Sequence, residues 1–131
     1  MTLSFRSALL IASALLMIFG AVGYAFFVVP DLHGDLVEIG VRPTVLGGTV
    51  LHLYFAGIAM FGFALMVTAA AIQAVRGIAP ARFPLAVIAV IYMAFGVMAF
   101  SRSHNPHHLG SLAIGVLLAA ALTFPRSRAP H

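Results

Sequence analysis

The sequence predicts an all-α fold, an integral membrane four-helix up-down-up-down bundle with N- and C-termini cytoplasmic, and three observations predict it. Of 131 residues, 63% are hydrophobic and only 8% charged, with a mean hydropathy of +1.12. A soluble domain of this size cannot enclose so much apolar surface. The apolar residues also fall into four runs near the ~20 residues that cross a bilayer core, and the Arg residues sit almost entirely in the gaps between them.

The first run covers residues 8–29 and is expected to stop at Pro30, because an interior proline removes a helix hydrogen bond. Arg6 followed by an apolar run, with Ala21-Val22-Gly23 beyond, superficially resembles a secretory leader. Apolar character persists through Phe26, Phe27, Val28 and Val29, longer than a leader's apolar core, so the segment is read as a retained helix.

Residues 30–44 form an outer loop. Within it, Asp35 to Ile39 either makes one short interfacial helical turn between Gly34 and Gly40 or belongs to an irregular polar loop. The second helix, residues 45–75, exceeds the length a bilayer needs, so it must tilt or protrude. Counting back ~20 residues from Gln73 and Arg76 puts His52 and Tyr54 at the outer boundary. The third helix covers residues 83–100 and the fourth 106–124, with Asn105 as N-cap and Pro106 as first helical residue.

Arginine sets the orientation. A cytoplasmic N-terminus places Arg6, Arg76, Arg82, Arg126 and Arg128 inside, against Arg42 and Arg102 outside with all three acids, Asp31, Asp35 and Glu38. That is the positive-inside arrangement. All seven basic residues are Arg and none is clustered, so the formal charge of +4 marks membrane flanks and not a nucleic-acid surface. The Ala, Gly, Val and Arg bias without Lys suits a bacterial gene, hence a multi-pass protein of the inner membrane.

The small-xxx-small pairs Ala8 with Ala12, Ala21 with Ala25 and Ser111 with Gly115, together with Gly47, Gly48, Gly57 and Gly62, allow close helix approach. They serve packing within the bundle or contact with a homo-oligomer or membrane-protein partner.

The polar chemistry gathers at the outer end: Asp31, His33, Asp35, Glu38, His52, His104, His107 and His108. Ionisable groups near membrane depth tend to face the bundle interior, and Tyr24 is a candidate hydrogen-bond partner for His52. Successive helical residues point ~100° apart, so His107 and His108 cannot both face inward. With no Cys, thiol catalysis, iron–sulfur and zinc-thiolate sites are excluded. No acid lies in an apolar run, which argues against a carboxylate proton relay through the membrane, and neither a phosphate loop nor an HExxH motif is present.

Three functions remain. The favoured one is a noncatalytic membrane subunit or lipophilic-ligand-binding bundle. The second is an outer-face Zn or Cu site in which His52 and His107 or His108 join His33 or one of Asp31, Asp35 and Glu38. The third is a haem-binding electron-transfer subunit using His52 and His107 or His108 as axial ligands. A haem anchor with two layers of paired His would need histidines at the inner end too, and that end lacks them.

Overall fold

A computed structural model describes residues 4–123; Phe124, Pro125, Arg126, Arg128 and His131 lie outside the described residues. The described chain is helical and contains no strand. Its elements are α1 (Phe5–Gly23), a π-helical turn (Tyr24–Val28), α2 (Val29–Glu38), α3 (Pro43–Val75), α4 (Arg82–Ser103), a 3-10 turn (Pro106–His108) and α5 (Leu109–Thr123). Four helical stretches, Phe5–Glu38, Pro43–Val75, Arg82–Ser103 and Pro106–Thr123, are long and apolar enough to cross a membrane.

The stop expected at Pro30 does not occur, and residues 30–38 are helix where an outer loop, with or without one short helical turn from Asp35 to Ile39, was expected. Proline inside an α-helix lacks an N–H, and its ring collides with the carbonyl four residues back. Here the preceding turn widens: the Val29 N–H bonds to the Tyr24 carbonyl five residues back, and Pro30 falls in the first turn of α2. A π turn is a usual device for carrying a helix past such a residue. The continuous stretch is 34 residues, about 51 Å long, and the 33 residues of α3 make about 50 Å.

Two glycines end helices in matching ways. After α2, the Gly40 N–H bonds to the Val37 carbonyl and the Val41 N–H to Leu36. After α3, Gly77 bonds to Ala74 and Ile78 to Gln73. Both are Schellman motifs, whose left-handed residue is provided by Gly40 at φ 74° and Gly77 at φ 76°. At the start of α1, the Ser4 hydroxyl accepts from the Ser7 N–H at 3.2 Å as N-cap.

The chain divides into two compact units, Met17–Leu65 and the residues on either side of it. In Met17–Leu65, the Tyr24 ring and Ala25 lie beside Gly57. These positions are equidistant from the Gly40 turn, as an antiparallel hairpin requires. In the other unit, α4 and α5 pack along a seam where Gly96 faces Leu112 and Gly115 faces Ala89 and Met93. These pairs are again equidistant from one turn, at His104, so α4 and α5 are antiparallel. Arg82 donates to the Leu122 carbonyl at 2.6 Å, so a cation satisfies the carboxyl end of α5.

The glycines are not equivalent. A Cβ on Gly115 would lie 2.5 Å from Met93 Cγ and 2.8 Å from the Ala89 carbonyl oxygen, and one on Gly96 would lie 2.6 Å from the Leu112 backbone nitrogen, whereas one on Gly48 meets nothing within 4 Å. The close approach is therefore made by Gly96 and Gly115, and Gly48 does not share in it. Gly115→Ala should destabilise the protein by about 1–3 kcal/mol, because backbone cannot yield to the added methyl. Gly48→Ala should be neutral or stabilising by up to about 1 kcal/mol. Unfolding of both variants by denaturant in detergent micelles gives the comparison.

Candidate functional site at the histidine-bearing turns

Tyr24, Asp31, His33, Asp35, Glu38 and His52 belong to the Met17–Leu65 unit, and His104, His107 and His108 to the other. On α2, Asp31, Asp35 and Glu38 fall at positions i, i+4 and i+7, which is one stripe of the helix, and all three are exposed along with His33. The alternate stripe carries Val29, Leu32, Leu36 and Ile39, of which Val29 is fully buried. Helix formation through Pro30 thus sorts charge from apolar surface in a segment expected to be either an irregular loop or a loop with one short interfacial helical turn.

His52 is exposed. Its Nδ1 lies 2.6 Å from the Gly48 carbonyl oxygen one turn earlier. A carbonyl only accepts, so Nδ1 carries the proton, and in the neutral ring Nε2 keeps its lone pair. The ring is tied to its own helix, while Tyr24 packs beside Gly57, with Cδ1 3.4 Å from where a Cβ would stand.

Between α4 and α5 the sequence Ser103-His104-Asn105-Pro106-His107-His108 reverses the chain. His104 adopts a left-handed conformation at φ 54°, and its N–H bonds to the Phe100 carbonyl at 2.8 Å, closing α4 in the simple left-handed cap. Asn105 is extended, and its Oδ1 accepts from the His107 N–H at 3.0 Å. Pro106 follows, and the first turn is 3-10 before α5 continues. His107 is exposed and His108 half-buried. The His108 ring meets Phe95 edge-on at 6.4 Å and His107 at the same centroid distance.

Among the described residues, no three His, Asp or Glu side chains gather as ligands to one metal would. The histidines present separate features: a ring fixed on a helix face at His52, an edge-packed pair at His107 and His108, and a conformationally costly cap at His104.

The residue that sequence reasoning passed over is Tyr92 in the middle of α4. Its side chain is 6% exposed, and its hydroxyl is buried with no hydrogen-bond partner. Other hydroxyls are satisfied locally: Ser13 donates to the Leu9 carbonyl, Ser103 to Ala99 and Thr123 to Ala120. The available signal was a tyrosine in the centre of a run that otherwise uses phenylalanine.

Comparisons with protein families, curated proteins and solved structures find no match for this chain.

The turn gives a paired prediction. Asn105→Ala removes the acceptor for His107 N–H and should destabilise by about 1 kcal/mol. His104→Gly relieves a left-handed conformation that costs a residue with a Cβ about 1–2 kcal/mol, so it should stabilise. Thermal unfolding in detergent should move the two variants in opposite directions; a shared direction would mean that this turn does not form as described.

Proposed function

We infer that this chain is an integral membrane protein, a noncatalytic up-down-up-down bundle that holds a lipophilic ligand or a membrane partner within the bilayer. The observation that carries the reading is the exterior of the long helices. Phe19 is 73% exposed, Phe55 70% and Phe83 80%, with Ile58, Val90 and Val116 also exposed. Monomeric soluble proteins rarely expose contiguous apolar patches beyond a few hundred Å², whereas hydrocarbon solvates such a surface without cost.

The interior supports the same reading. On α1 the buried residues Ser7, Leu10, Ala14, Met17 and Ala21 recur at steps of three and four, and on α3 Ala64, Val67 and Ala71 do likewise. These narrow stripes of small and medium side chains let helices approach closely in lipid. The hydroxyl groups that bond back to helix carbonyls leave little unsatisfied polarity.

The arginine distribution supports a cytoplasmic side for both termini, in a bacterial inner membrane. The excess length of the Phe5–Glu38 and Pro43–Val75 stretches then falls at their outer ends, the acidic Asp31 to Glu38 and the uncharged Pro43 to His52, outside the outer leaflet.

A second reading, an outer-face metal site, is favoured by the His52 geometry. A ring whose Nδ1–H is held by a carbonyl and whose Nε2 is open is prepared for Zn or Cu ligation or for haem. His33, Asp31, Asp35 or Glu38, in the same Met17–Leu65 unit, would provide further ligands.

Two measurements separate the readings. Under the first, protein in lipid nanodiscs retains the lipophilic probe decylbenzene stoichiometrically in native mass spectra; a signal that never saturates would refute a defined site. Under the second, protein purified without a polyhistidine tag contains Zn or Cu, or shows a haem Soret band. Binding then falls between about pH 7.5 and 5.5 as protons compete for imidazole nitrogen, and is lost in His52→Ala. We expect the metal analysis to be blank and the spectrum colourless.

A further inference from the structure

Tyr92 stands ten residues from both Arg82 and Arg102, so on a helix rising 1.5 Å per residue its Cα is about 15 Å from either flank. In a bilayer core about 30 Å thick, that is the midplane. Its hydroxyl is buried and has no hydrogen-bond partner. Burying a hydroxyl without a partner is costly in apolar surroundings, and Phe would fill nearly the same volume without that cost. The chain uses Phe at 11 positions and Tyr at only three.

The surroundings restrict what the missing partner can be. Ala89 and Gly96, on the same buried face as Tyr92, face α5, and at 100° per residue Tyr92 lies roughly 60° around α4 from the first and roughly 40° from the second. Its hydroxyl nonetheless finds no partner on either helix. Ester carbonyls and headgroups of phospholipids lie at the edges of the hydrocarbon, about 15 Å away, too far to reach it. A partner that occupies the midplane and offers an acceptor is a small lipophile bearing a carbonyl.

We propose that the Tyr92 hydroxyl is the hydrogen-bonding point of a mid-bilayer site for a lipophilic carbonyl compound of the quinone type. The proposal rests on the membrane-embedded, lipophile-holding reading above. The ligand enters from the lipid phase through separation of the helix surface beside Tyr92, and the phenolic O–H donates to its carbonyl oxygen. No bond is made or broken.

The test compares wild type with Tyr92→Phe in lipid nanodiscs, using two probes of equal chain length, decyl-benzoquinone and decylbenzene, read by native mass spectrometry. A hydrogen bond worth about 1.4 kcal/mol corresponds to a tenfold change. Wild type should retain the quinone about tenfold more tightly than Tyr92→Phe, and both proteins should retain decylbenzene equally. Without probe, Tyr92→Phe should melt at a higher temperature, because it removes an unsatisfied donor.

Equal quinone retention by both proteins, with decylbenzene still held, would overturn the role of Tyr92 while leaving the lipophile-holding reading intact. No saturable retention of either probe by wild type would remove that reading and the Tyr92 site with it. A lower melting temperature for Tyr92→Phe without probe would show that the hydroxyl is bonded to buried water, and that outcome also overturns the proposal.

Discussion

The backbone's need to satisfy its own hydrogen bonds governs this protein. Few side chains here can bond to a peptide group, and in the proposed membrane reading apolar surroundings provide no water to do so. Almost every described residue is helical, and each interruption is closed by a specific device. Gly40 and Gly77 close two helices by reversing handedness. Asn105 accepts the first free N–H after α4, and Arg82 donates to a free carbonyl at the end of α5. At Pro30 the chain avoids an interruption altogether, widening one turn so that a helix continues. Polar chemistry appears at these places because they are where regular hydrogen bonding must be replaced.

The same constraint explains the helix contacts. Once every peptide group is satisfied within its own helix, association in a bilayer depends on close packing. At the α4 and α5 seam, Gly96 and Gly115 bring the helices together at distances that exclude even a methyl group. Tyr92 differs from these positions because its hydroxyl introduces a requirement that neither helix meets. In the proposed reading, that unmet requirement is the difference between a bundle that merely packs and one that receives something.

Much of the fold was legible from sequence because four sustained apolar runs leave few alternatives. What escaped depends on context that one-dimensional spacing does not carry. Pro30 is equally at home after a helix or in the first turn of the next, and only the widened turn before it decides which. Gly48, Gly96 and Gly115 look alike in sequence, yet helix rotation turns two of them to a neighbour and leaves the third open. At the candidate site, Asn105 and Pro106 announced their cap clearly, since side-chain acceptors and fixed φ act locally. His104 did not, because a left-handed cap ordinarily falls to glycine. The histidines were visible as a group, but whether side chains converge is a property of tertiary packing.

The absence of cysteine makes the central claim, four helices embedded in a bilayer, open to one direct measurement. Single cysteines at Ile39, Ile78, Phe19, Ile58, Val90 and Val116, all exposed positions, can be challenged with a membrane-impermeant maleimide in intact cells and in inverted vesicles. The account predicts labelling of Ile39→Cys only from outside and of Ile78→Cys only from the cytoplasmic face. It predicts none at the four mid-helix positions until the membrane is dissolved and the protein denatured. Labelling of Phe19→Cys, Ile58→Cys, Val90→Cys or Val116→Cys as readily as Ile39→Cys in intact membranes would mean that those surfaces face water, contradicting the account.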